Sequence, residues 1–275
     1  MDNADLRTVD GFGDEWSRFS QEELTPEELE FMFNAYFRIF PWSTLPEGAR
    51  GVDFGCGSGR WAKLVAPRVG HLMLLDASNE ALDVARRNLR DRDNVSFEHA
   101  SVTEAPVEDG SLDFAYSLGV LHHMPDTEGA IRAIGKKLKP GAPFLIYLYY
   151  AFDNRPAWFR RLWQASDLIR QGVSRLPHGA RYGVSQVFAA SVYWPLARTA
   201  LLLEKAGKLP ATFPLSFYRD RSFYVMRNDA LDRLGTRLEQ RFTKKQITAM
   251  LDRAGFDVPT FSDGVPHWVA WARKK

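Results

Sequence analysis

The chain has 275 residues, 45% of them apolar, with 36 Lys and Arg against 34 Asp and Glu, which suits one α/β domain with a sizeable insertion or two small domains. A formal net charge of +2 gives no overall field that singles out nucleic acid or an anionic membrane as partner. One cysteine, Cys56, excludes an intramolecular disulfide and a cysteine-based zinc cage, and fits a reducing cytoplasm.

The chain opens Met-Asp-Asn-Ala-Asp, without the basic and apolar regions of a signal peptide, so none is expected. Residues 1–50 are acid-rich, and residues 155–208 carry Arg155, Arg160, Arg161, Arg170, Arg175, Arg181 and Arg198. Solvated helix faces account for both; the sharper alternative is that the two segments fold against each other over a site. Phe12, Trp16 and Phe19 either pack one amphipathic turn or close over a ligand. Thr25-Pro26-Glu27-Glu28 combines an N-cap, proline at the first helical position and a capping box, predicting a helix that ends before Pro41.

From residue 51 the pattern changes to short apolar runs, at 51–54, 72–75, 95–98, 112–117 and 143–149, alternating with helical periodicity at Leu82, Ala85, Leu89 and at Ile131, Ile134, Leu138. Such alternation predicts a parallel, doubly wound sheet. Residues 151–241 break the rhythm, being helical in pattern, aromatic, Arg-rich and punctuated by five prolines. They are read as an inserted cap. Their aromatic side chains either fill a helical core or roof an apolar acceptor pocket, and Arg219 and Arg221 either bind an acceptor anion or lie on an exposed face. The core resumes with a capping box at Thr243 and Gln246, a helix to Ala254, and two final strands at 256–261 and 267–272. The stretch 191–203 is the most apolar of the later chain, but it holds Pro195 and Arg198 and is too short to span a bilayer.

The most informative segment is Val52-Asp53-Phe54-Gly55-Cys56-Gly57-Ser58-Gly59-Arg60, a strand running into a glycine-rich turn. A tight strand-to-helix turn uses glycine whether or not a ligand follows, but glycine also lets a ligand approach the backbone. The dinucleotide fingerprint needs a glycine at position 60, where Arg60 stands, which counts against a nicotinamide dehydrogenase. Leu74-Leu75-Asp76 ends the second strand in a carboxylate, where a doubly wound fold places its ribose ligand. Asp113 through Pro125 contains His122-His123, the only adjacent histidines, just past a strand end and suited to general-base or clamp roles.

The glycine loop resembles motif I of the class I S-adenosylmethionine-dependent methyltransferases, and the segment from Asp113 to Pro125 resembles motif IV and the double-histidine loop of their small-molecule branch. The resemblance implies a seven-stranded, mostly parallel Rossmann-like α/β sheet, with an N-terminal helical lid (1–49), a core (50–150 and 242–275) and a helical insertion after the fifth strand (151–241). It also implies S-adenosylmethionine as cofactor. Gly55, Cys56, Gly57 and Gly59 would then offer backbone contacts, Asp53 would hold the amino group, and Asp76, with Ala77 beside it, would take the ribose. Ser101, beside Val102, stands where the family has an acid for the adenine amino group, and accepts that bond more weakly. Ser117 and Leu118 would lie against the cofactor, Trp16 would shield the sulfonium, and His122 or His123 would be catalytic. The implied reaction is methyl transfer to an oxygen, nitrogen or carbon nucleophile of a small, partly apolar metabolite. No Asn-Pro-Pro-Tyr or Asp-Pro-Pro-Tyr tetrapeptide is present, which makes nucleic acid the lesser expectation, and no metal is implied. The alternatives are a protein or RNA methyltransferase, and a non-catalytic protein that binds the cofactor or a partner.

Overall fold

The computed structural model describes residues 2–275. Helices α1 (Leu6–Arg18) and α2 (Pro26–Phe37) lead into β1 (Arg50–Phe54), α3 (Ala62–Val65), β2 (His71–Asp76), α4 (Asn79–Asn88), β3 (Val95–His99), β4 (Phe114–Leu118), α5 (Thr127–Lys137) and β5 (Pro143–Tyr147). Then come α6 (Ala157–Val173), α7 (His178–Phe188), α8 (Trp194–Lys205), α9 (Phe223–Gly235), α10 (Lys244–Arg253), β6 (Thr260–Phe261) and β7 (Ala270–Arg273). Side-chain oxygens start the main helices: Asp5 accepts the Thr8 N–H, Thr25 the Glu28 N–H, Ser78 the Ala81 N–H and Asp126 the Gly129 N–H. At Thr243 the full reciprocal box with Gln246 forms. Each cap satisfies a donor that the first helical turn would leave orphaned.

The seven strands form one sheet in the order β3-β2-β1-β4-β5-β7-β6. All neighbours from β3 to β5 are parallel, and β7 runs antiparallel to both β5 and β6. Val52, Phe54, Leu72, Leu74, Leu75, Phe114, Ala115, Phe144, Leu145 and Ile146 are fully buried, as expected of a sheet covered on both faces. The chain leaves β1 for β2 and β3 on one side and returns to β4 on the other, so the switch point is the crevice beyond the ends of β1 and β4. Open α/β sheets bind ligands there.

The penultimate strand is shorter than the predicted 256–261. Phe256 makes only an isolated bridge to Lys274, Val258 is exposed, and Pro259 brings no N–H to the ladder.

The chain divides into two compact units: residues up to Asp153 together with Leu238–Lys275, and Asn154–Arg237. The second unit packs around α9, whose Met226, Ala230, Leu231 and Leu234 are buried. Two of its arginines close the carbonyl end of α9. Arg170 donates to the Thr236 and Arg237 carbonyls at 2.8 and 3.1 Å, and Arg181 to the Gly235 carbonyl at 3.1 Å, where cations complement the helix dipole. Among the described residues, no helix is long and apolar enough to cross a membrane.

Candidate active site

The turn after β1 is built on left-handed glycines, with φ of +81° at Gly55, +53° at Gly57 and +72° at Gly59. Such angles strain any residue with a Cβ. The Gly55 and Cys56 N–H groups both donate to the Leu75 carbonyl, at 2.7 and 3.1 Å. Asp76 holds the loop from the end of β2, its Oδ2 accepting the Gly57 N–H at 2.8 Å and its Oδ1 the Ser78 N–H at 2.9 Å. Burial raises the Asp76 pKa, and these backbone donors oppose the rise. Two N–H groups leave a carboxylate with acceptor sites to spare for a diol. Ala77 follows, its carbonyl 2.9 Å from His99 Nε2. Cys56 is buried, and burial beside Asp76 and Asp53 pushes its thiol up, so it offers backbone and no thiolate.

Asp53 lies on β1 directly across from Tyr116 on β4. It is 1% exposed, and burial pushes its carboxyl up to about 8, against a lowering by the Tyr116 hydroxyl. Among the described residues its Oδ2 has no hydrogen-bond partner. The Tyr116 hydroxyl that faces it is orphaned as well, so the pair presents a carboxyl and a hydroxyl to a polar ligand such as an ammonium.

Two of the predicted contact residues, Ser101 and Ser117, spend their hydroxyls within the protein. The Ser101 hydroxyl donates to the Asp2 carbonyl at 2.7 Å, and Thr103 donates to the same oxygen; Val102 is buried beside it. The Ser117 hydroxyl donates to the Phe54 carbonyl at 2.8 Å, so it stitches β4 to β1 across the crevice. Leu118 ends β4 half-buried, followed by Gly119 (φ +81°), where an added Cβ would meet nothing within 4 Å. In the second unit, Arg219 is held by Glu204 at 2.7 Å, and Tyr193 and Tyr218 pack together.

Helix α1 crosses the C-terminal ends of the strands. Trp16 lies over the glycine loop, its indole 2.8 Å from where a Gly57 Cβ would stand. Phe12, four residues earlier and so on the same face, is 5.0 Å from the His123 ring. Phe19 is buried and serves the core. From Trp16 a circuit of ring contacts leads back to α1. The Arg60 guanidinium stands 5.5 Å from Trp16 and 4.4 Å from Trp61. Tyr36 is 5.2 Å from both Trp61 and Tyr147, and Tyr147 is 6.0 Å from Tyr149. Tyr149 stacks on His122 at 3.8 Å and stands edge-on to His123 at 5.4 Å.

His122 and His123 are both buried, with ring centroids 3.9 Å apart. The His122 Nδ1 accepts the Tyr149 N–H at 3.4 Å, so neutral His122 carries its proton on Nε2. Burial, His123 and Arg241 hold its pKa well below the ordinary value. The His123 Nδ1 lies 2.7 Å from the Leu238 carbonyl, which only accepts; His123 therefore donates from Nδ1 and keeps its lone pair on Nε2.

Residues 238–242, just after the second unit, staple this loop; sequence pattern alone groups 238–241 with the insertion. Gln240 donates from its backbone to the His122 carbonyl and from its side chain to the Met124 carbonyl. The Phe242 N–H donates to the Tyr149 carbonyl. Arg241 pairs with Glu239 at 2.8 Å, their side chains 12% and 1% exposed, and its guanidinium lies 4.9 Å from the Tyr149 ring. Sequence reading missed Tyr36, Trp61, Tyr147, Tyr149, Glu239 and Arg241. Only Tyr147 and Tyr149 carried a signal, two residues apart at the end of a strand. Among the described residues no cluster suited to a metal ion is present.

A family model described as "Methyltransferase domain" matches residues 52–146. The chain is 36% identical over 106 residues to phosphoethanolamine N-methyltransferase 2 of Caenorhabditis elegans, covering 37% of this chain and 24% of that protein. It is 30% identical over 165 residues to the ubiquinone biosynthesis O-methyltransferase of Hahella chejuensis, covering 56% of this chain and 64% of the relative. The chain thus spans less than two thirds of the length of each. Among solved structures, the YcgJ protein from Bacillus subtilis superposes with a TM-score of 0.51 at 15% identity, over 86% of this chain and 70% of that one, a likeness of fold.

Proposed function

We infer, from a core that is a class I methyltransferase domain, that this protein moves a methyl group from S-adenosylmethionine to a small, partly apolar acceptor. The observation that carries the reading is the circuit of aromatic rings from Trp16 to Phe12 at the switch-point crevice, next to a buried Asp53 with an unpartnered oxygen. Two relatives, one named a ubiquinone biosynthesis O-methyltransferase and one a demethylmenaquinone methyltransferase, support an apolar acceptor.

When bound, S-adenosylmethionine supplies an activated sulfonium methyl to an oxygen, nitrogen or carbon nucleophile. The residues present fit such a group. Asp53 holds its ammonium, Asp76 its ribose hydroxyls, the turn at Gly55, Cys56, Gly57 and Gly59 its backbone contacts, and Ser101, Val102 and Leu118 flank its base. Trp16 and Tyr36 offer ring faces to a cation. The rings exclude water, and the rigid strand ends align the reactants, which accounts for most of the rate when the methyl is already activated. His123 takes a proton at Nε2 when the acceptor carries one, and His122 donates from Nε2. Helix α1 serves as lid.

The test is release of S-adenosylhomocysteine on incubation with a panel of hydroxylated aromatic small molecules, and in parallel with total RNA and protein extracts. Turnover confined to small molecules supports the reading. Labelling of RNA or protein with no small-molecule turnover, or no turnover at all, contradicts it.

A further inference from the structure

The chain's near-neutral charge conceals a sharp division. Asn154–Arg237 carries fourteen Lys and Arg against five Asp and Glu, and the rest of the chain twenty-two against twenty-nine, so a unit of net charge +9 is inserted in a core of −7. Exposed apolar side chains gather in the same unit. Of the fourteen large apolar residues that stand exposed among the described residues, ten belong to it.

Helix α6 shows the arrangement most clearly. Trp163, Ser166 and Arg170 face α9, with Arg233 donating to Ser166 and lying over the Trp163 ring. On another flank, Trp158, Leu162, Ala165 and Ile169 repeat at i, i+4, i+7 and i+11, one continuous stripe. Trp158, Leu162 and Ile169 are each about half exposed, so the stripe is uncovered. Arg161 neighbours the stripe on the helix surface, Arg160 lies on the far side and Arg175 just past the helix end, all three exposed.

We propose that the inserted unit is a peripheral docking surface for an anionic lipid bilayer, with the α6 stripe lying in the interface plane. Apolar side chains inserted at headgroup depth, with arginines nearby, give the two attractions that interfacial helices combine. Trp158 suits the amphipathic headgroup level. A second copy of the same face is disfavoured, because it would bring +9 against +9. The association needs no membrane span and no turnover.

The experiment is sedimentation of the full chain with vesicles of phosphatidylcholine alone, or with about one third phosphatidylglycerol, at low and high salt. The expected result is at least about a tenfold preference for the anionic vesicles, weakened by salt. Leu162→Glu with Ile169→Glu should lower partitioning about tenfold with an unchanged melting midpoint, since both side chains are exposed, and Arg161→Glu should weaken it further. Three results would overturn the proposal: no sedimentation with anionic vesicles at low salt, sedimentation that the double substitution leaves unchanged, or a dimer seen by light scattering that the double substitution dissociates.

Discussion

Asp76 accepts the Gly57 N–H at 2.8 Å, so the carboxylate at the end of the second strand fixes the shape of the glycine loop before any ligand arrives. The same residue is left with acceptor sites for a diol, so on the proposed reading loop geometry and cofactor affinity should be coupled.

Gly57→Ala should expose that coupling. The backbone there has φ of +53° and the Trp16 indole is 2.8 Å from the new methyl, so either the loop or α1 must shift. We expect cofactor affinity to fall about tenfold or more, given the roughly 1–2 kcal/mol cost of a left-handed alanine. Titration of the Gly57→Ala protein beside the parent checks this; equal affinity of the two would contradict it.

If Asp53 holds the cofactor's ammonium as proposed, binding should be pH-dependent. The Asp53 carboxyl is pushed up to about 8, so at pH 7 it is mostly protonated, and a bound ammonium drives its ionisation. Binding should release up to one proton below pH 8, measurable by calorimetry in buffers of different ionisation enthalpy, and Asp53→Asn should release none there. The same shift bears on stability. A carboxyl raised from 3.8 to about 8 favours the fold below pH 4, and that contribution is lost as pH rises to 8. Asp53→Asn should therefore flatten the fall of the melting midpoint between pH 5 and 9, and raise the midpoint at pH 9 by a few degrees, at about 2–4 °C per kcal/mol.

The two histidines should separate in their effects. His123→Ala is expected to lower kcat by about 10²–10³ for acceptors that must lose a proton, leaving cofactor affinity unchanged. His122 is fully buried under Tyr149, so His122→Ala should cost about 2–3 kcal/mol of stability. Urea unfolding and steady-state kinetics on both variants distinguish the roles.

Arg241→Met removes the guanidinium from Glu239, whose side chain is 1% exposed. Breaking a buried pair from one side costs about 3–5 kcal/mol. Arg241→Met with Glu239→Leu should restore much of it, as read from denaturant midpoints.

The glycine loop, Asp76 and the alternation of strands and helices were legible because each is a local pattern, with turn chemistry and periodicity written within a few residues. Helix α1 was harder, since Gly11 and Gly13 argue against a helix. Gly13 is there because a Cβ would come 2.8 Å from Ser78 Oγ and 3.1 Å from Glu80 Oε2, a constraint set by a segment 65 residues away. The circuit joining Tyr36, Trp61, Tyr149 and Arg241 draws on segments separated by more than a hundred residues, and tertiary pairing of that kind leaves no mark on periodicity. Ser101 and Ser117 sit at the expected strand ends, but sequence could not tell that their hydroxyls go to Asp2 and Phe54.

The most direct test of the central claim is calorimetric titration of S-adenosylmethionine, and of NAD, into the full chain and its Asp76→Ala variant. The account predicts saturable binding of S-adenosylmethionine, a loss of at least about a hundredfold in the variant as two or more charge-assisted hydrogen bonds disappear, and no binding of NAD. Binding of NAD, binding of S-adenosylmethionine that the variant retains, or binding of neither would contradict it.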